Sequence, residues 1–73
     1  MTEKQLLKKL GLKIKQLRTE KGDSQSAFGL SIDIEKSNVS RIESGRVNPR
    51  FFTLYKVAQA LDIKLSDLVN LED

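Results

Sequence analysis

The stretch QSAFGLSIDIEKSNVSRIESG, residues 25–45, constrains this chain more than any other part of it. Phe28 and Ile32 recur at helical spacing, as do Val39 and Ile42 three residues apart. The pattern predicts a helix over about 25–32, a tight turn through Ser31 to Glu35, and a second helix over about 36–44. With so short a turn the two helices must cross and touch near it. Gly29 stands where the backbones approach, and a large side chain there would collide with the partner helix. Phe28, Ile32, Ile34, Val39 and Ile42 then fill the angle between them. With Val39 and Ile42 turned inward, a rotation of 100° per residue leaves Ser37, Arg41 and Ser44 pointing outward, with Ser40 beside them.

The flanking sequence supplies more helices. Leu7, Leu10, Ile14 and Leu17 give an apolar stripe to a first helix over about 4–21. Gly11 is a mild weakness within it, and Gly22 ends it at a position suited to a left-handed cap. Ser24 is a good N-cap for the second helix. Gly45 ends the third. A basic loop, RVNPRFF, covers residues 46–52. Thr53 is placed to cap a fourth helix over about 54–61, packed through Leu54, Val57, Ala58 and Leu61. Asp62 to Lys64 turn the chain into a last short helix over 65–70. No stretch alternates with period two long enough to suggest a sheet. The expectation is an all-α fold, one compact five-helix domain over residues 1–73.

Composition narrows the chemistry. There is no cysteine and no histidine, so thiolate metal sites, disulfides and the commonest general base are all missing. There is no glycine-rich phosphate loop. No catalytic residue, metal site or cofactor is therefore expected, and an enzyme is not. A chain this short buries only about 60% of its unfolded surface, which leaves a thin margin of stability. The net charge of +3 is unevenly spread: residues 1–50 carry eleven basic and six acidic groups, and residues 51–73 carry two and four. The basic part coincides with the crossed helices and the helix before them, which suits an acidic partner. No apolar run approaches the roughly 20 residues of a membrane span, and no signal-peptide core begins the chain. A cytoplasmic location is expected.

The segment resembles the helix-turn-helix of the phage repressor and Cro family, also called the XRE-type family. The matching residues are Ser24-Gln25, Phe28, Gly29, Ile34, Val39-Ser40, Ile42-Glu43 and Gly45, and the resemblance extends over about residues 14–69. It departs from the family pattern at Asp33, where a turn glycine is usual, at Asp23, where an apolar residue is usual, and at Glu35, a poorer helix cap than serine or threonine. The implied fold is lambda-repressor-like, with helices two and three as the helix-turn-helix and double-stranded DNA as the partner. The resemblance places base contacts on Lys36, Ser37, Asn38 and Arg41. The guanidinium fork of Arg41 matches guanine O6 and N7 in the major groove. Phosphate contacts are expected from Gln25, Ser40, Arg46, Asn48 and Arg50. The resemblance also implies a structural ion pair between Arg18 and Glu43, which tethers helix one to helix three.

Family members usually bind palindromes as dimers, with half-sites about 34 Å apart. Leu65, Leu68, Val69 and Leu71 are candidates for a homodimer interface, and Phe51 and Phe52 for interface or core. The leading expectation is a bacterial or phage-encoded, sequence-specific transcriptional regulator, either a repressor or a restriction-modification controller. Two alternatives stand beside it: the antitoxin of a toxin-antitoxin module, with a toxin partner, and a helical protein-interaction module that binds no DNA.

Overall fold

A computed structural model describes residues 1–72. Its elements are α1 (Glu3–Lys21), α2 (Gln25–Ser31), α3 (Lys36–Glu43), α4 (Phe51–Ala60) and α5 (Leu65–Leu68), with no strand among the described residues. The first helix begins with a device the apolar pattern does not reveal. The Thr2 hydroxyl accepts from the Gln5 amide at 3.1 Å, and the Gln5 side chain accepts from the Thr2 amide at 2.9 Å. This reciprocal pair satisfies two of the donors a helix start leaves open. Gly22 closes the helix at φ 93°, where its amide donates to the Arg18 and Thr19 carbonyls.

Ser24 caps α2 by accepting from the Ala27 amide at 3.0 Å. The turn after α2 passes through Asp33 at φ 60°, in the left-handed region usually given to glycine. Its geometry lets the Ile34 amide reach back to the Gly29 carbonyl at 2.9 Å, which reverses the chain into α3. Gly29 is needed on steric grounds: a Cβ there would lie 2.5 Å from the Ile34 carbonyl oxygen. Asp62, at φ 57°, does the same work between α4 and α5.

One core joins all five helices. Leu10 and Ile14 of α1, Phe28 of α2, Val39 and Ile42 of α3, Val57 and Ala58 of α4, and Leu68 of α5 are buried together, with Ile32 and Leu61 at the helix ends. Helix α3 packs against both α1 and α2, while α5 closes the far side against α1 and α4.

Three sequence expectations need correction. Gly11 is no weakness: a Cβ there would stand 2.5 Å from the Ile42 carbonyl oxygen and closer still to that of Glu43, so α1 can lie on α3 only with glycine at this position. Thr53 does not cap α4. The helix starts at Phe51, behind Arg50 in extended conformation, and Thr53 sits inside its first turn. Leu68, a candidate for the dimer face, is 0% exposed and belongs to the chain's own core.

Candidate nucleic-acid interface

Helix α3 divides into two faces, and its sequence explains both. Val39 and Ile42 anchor the inner face, which leaves Lys36, Ser37, Asn38, Ser40, Arg41 and Ser44 exposed to solvent. Arg41 Nη1 donates to Asn38 Oδ1 at 3.1 Å, one turn back. Two side chains expected to read bases thus brace each other, which limits the rotamers of the arginine. Glu35 precedes the helix in extended conformation without a side-chain cap bond, so Lys36 is the first helical residue.

At the inner edge, Glu43 is the hub of a closed polar cluster. Arg18 Nε donates to Glu43 Oε2 at 2.6 Å and Nη2 to Oε1 at 3.0 Å, a fork on a carboxylate. Gln25 Nε2 donates to the same Oε1 at 3.0 Å, and Arg18 Nη1 donates to the Asp23 carbonyl at 2.7 Å. Both charged side chains are almost wholly buried. The hydrogen bond from Arg18 to Glu43 raises the arginine pKa above its ordinary value; burial opposes this, and the charges of Glu43 and Asp23 add to it. A group so raised loses its stabilising charge only at strongly alkaline pH, so the cluster stays ionised from the arginine side under all ordinary conditions. No buried side-chain polar atom among the described residues lacks a partner. Gln25, half-buried at the start of α2, is held at the edge of this cluster by its bond to Glu43.

The remaining expected phosphate contacts lie past the end of α3. Gly45 turns at φ 75°, and the Arg46 amide reaches back to the Arg41 carbonyl at 3.0 Å. Arg46, Asn48 and Arg50 are all exposed on the following loop. Asn48 donates weakly to Glu3 at 3.5 Å, which ties the loop to the start of α1.

The structure also redistributes the basic charge of α1. Lys13 donates to the carbonyls of Asp67 and Asn70, Lys9 to that of Leu71, and Lys21 to that of Ala60 at 2.7 Å. These lysines brace the C-terminal ends of α4 and α5, where carbonyls lack helical partners. Sequence spacing gave no sign of this, because each bond joins residues at least 39 apart. Among the expected dimer residues, Leu65 and Leu71 are partly buried against the core and Val69 is exposed. Larger apolar groups stand free on α4: Phe51, Phe52 and Tyr55 are 73%, 66% and 44% exposed. Phe52 stacks on Tyr55 and carries Lys56 above its ring.

Among the described residues there is no cluster of three or more potential metal ligands, and no helix is long and apolar enough to cross a membrane. A family model described as helix-turn-helix, HTH_3, matches residues 14–68, which span α1 from Ile14 to the end of α5. The chain belongs to this helix-turn-helix family. Members of the family are DNA-binding transcriptional regulators, and so is this chain. Among its relatives, the control protein C.MunI of a Mycoplasma species is 41% identical over 61 residues, covering 82% of each chain. The transcriptional regulator SinR of Bacillus licheniformis is 38% identical over 65 residues, 88% of this chain and 59% of that one. Among solved structures, the restriction-modification controller protein C.AhdI of Aeromonas hydrophila superposes with a TM-score of 0.82 at 35% identity, covering 85% of this chain and 94% of that one. These helix-turn-helix relatives are regulators rather than enzymes.

Proposed function

We propose that this chain is one helix-turn-helix domain that acts as a restriction-modification controller or a closely related repressor, binding a palindromic operator as a homodimer in the bacterial cytoplasm. The outer face of α3 carries the proposal: it presents Lys36, Ser37, Asn38 and Arg41 to solvent while the buried Arg18 and Glu43 behind it are paired with each other. In this reading Arg41 takes guanine O6 and N7, Asn38 stabilises the arginine or reads adenine, and Lys36 and Ser37 meet neighbouring base edges. Gln25, Ser40, Arg46, Asn48 and Arg50 hold phosphates on either side of the groove. The likeness to C.MunI and C.AhdI, which covers most of both chains, supports the controller reading over a general repressor. The exposed Phe51, Phe52 and Tyr55 of α4 join Val69 as candidates for self-association, in place of Leu68.

Selection of binding sites from randomised duplex DNA tests this directly. The expected outcome is an enriched inverted repeat with half-sites about one helical turn, ~34 Å, apart. Enrichment of no sequence overturns the regulator as a sequence reader, and enrichment of single half-sites overturns the dimer.

A further inference from the structure

Beside the expected phosphate residues lies a cleft of about 140 Å³ lined by Lys15, Gln25, Ser40, Glu43 and Ser44. It sits where α1, the start of α2 and the C-terminal half of α3 meet. Of the six lysines on α1, Lys9, Lys13 and Lys21 are committed to carbonyls or carboxylates elsewhere, whereas Lys4, Lys8 and Lys15 are exposed and make no side-chain hydrogen bond or ion pair, and of these three only Lys15 lines the cleft. Glu43 is the only acidic group lining the cleft, and its carboxylate is already taken by Arg18 and Gln25. What remains open toward solvent is a set of donors: the Lys15 ammonium, the second amide hydrogen of Gln25, and the Ser40 hydroxyl.

We propose that Lys15 is a DNA-backbone contact, which extends the interface from the helix-turn-helix onto α1 and closes a phosphate between Lys15, Gln25 and Ser40. The proposal rests on the DNA-binding reading of α3, since Gln25 and Ser40 flank its outer face. It adds a charge that the three serines of that face cannot supply. A lysine here acts as a point charge on a backbone oxygen, without base preference. It therefore contributes to affinity on operator and on unrelated duplex alike.

The test is a salt titration of binding for the wild type and for Lys15→Gln, Lys15→Arg and Lys64→Gln. The last removes an exposed charge from the α4–α5 connection. The slope of log K against log salt should fall by about 0.9 in Lys15→Gln on both operator and unrelated DNA, with binding about fivefold weaker at 0.15 M salt. Lys15→Arg should keep the wild-type slope, and so should Lys64→Gln. An unchanged slope in Lys15→Gln overturns the proposal. An equal fall in Lys64→Gln also overturns it, because the effect is then net charge alone. A wild type that binds no DNA at low salt removes the regulator reading itself, which distinguishes that failure from this one.

Discussion

On its inner edge α3 carries Glu43, whose carboxylate takes three hydrogen bonds from Arg18 and Gln25. On its outer face Lys36, Ser37 and Ser40 make no side-chain bond at all, and Arg41 makes one, to a neighbour on the same helix. Eight residues of helix thus hold one region where every polar group is satisfied and another where almost none is. The first fixes where the helix sits. The second leaves its donors available, so that groups on a duplex can meet them without first breaking protein contacts. A read-out helix needs both, because an arginine can choose a base only if the backbone beneath it does not move.

The inner region is where substitutions should cost most. Glu43→Gln leaves the Arg18 guanidinium buried without its paired carboxylate, a loss of about 3–5 kcal/mol. A domain of this size has only about 4–11 kcal/mol of total stability. A large fall in the urea midpoint, or outright unfolding by circular dichroism, is the expected result. The double change Arg18→Met with Glu43→Leu should recover most of that loss, because a packed apolar pair avoids the burial of charge. If the double variant is no better than Glu43→Gln, the pair's value lies in its bonds to Gln25 and Asp23, and the two faces of α3 differ less in energy than in hydrogen bonding.

Gly11→Ala comes next. The added methyl meets two backbone carbonyls of α3 rather than a movable side chain, so α1 must lift away. Overpacking of this kind costs about 1–3 kcal/mol, and this site belongs at the upper end. At about 4–8 °C per kcal/mol for a domain of this size, the melting temperature should fall by more than 10 °C. A rise of a few degrees is what helix propensity alone predicts when alanine replaces a glycine inside a helix, and that outcome would return Gly11 to the status the sequence suggested.

That contrast between propensity and packing explains what was legible in the chain. The crossed pair α2 and α3 could be placed because Phe28, Val39 and Ile42 follow helical spacing and Ser24 and Gly45 mark the ends. Exposure of Lys36, Ser37 and Arg41 followed from the same rotation. Gly11 was misread because local propensity carries no information about a backbone 31 residues away. The start of α4 was misread because Thr53 is a strong cap signal, yet Pro49 and Arg50 already turn the chain into the helix three residues earlier. Leu68 could not be assigned from a four-residue helix, which is too short to show a periodic face. The lysine braces of α1 depend on where α4 and α5 end in space, and no spacing rule reaches that far.

On the outer face the expected losses are in binding rather than folding. Arg41→Ala should weaken binding to the selected operator by about 1–3 kcal/mol and relax preference at one base position, with the melting temperature nearly unchanged. Competition gel shifts against sites varied one base at a time measure both effects. Equal weakening on every sequence would move Arg41 from bases to phosphate. Asn38→Ala should produce a smaller version of the same loss if its part is to brace the arginine, and a second relaxed position if it reads a base.

The smallest effect belongs to the turn that joins the faces. Asp33 holds a left-handed conformation at φ 60°, which aspartate tolerates better than most residues but glycine adopts freely. Asp33→Gly relieves that strain and at the same time gives the unfolded chain more freedom, so the two changes partly cancel. A net gain of about 0.5 kcal/mol is expected, or roughly 2–4 °C in melting temperature. The change also removes an exposed negative charge near the start of α3, so affinity for DNA should rise slightly at low salt and converge with the wild type as salt screens the difference. A lower melting temperature would mean that the aspartate side chain stabilises the turn by more than its backbone costs. In that case the sharp reversal into α3 depends on this side chain, and Asp33 belongs with Arg18 and Glu43 among the residues that hold the reading helix in place.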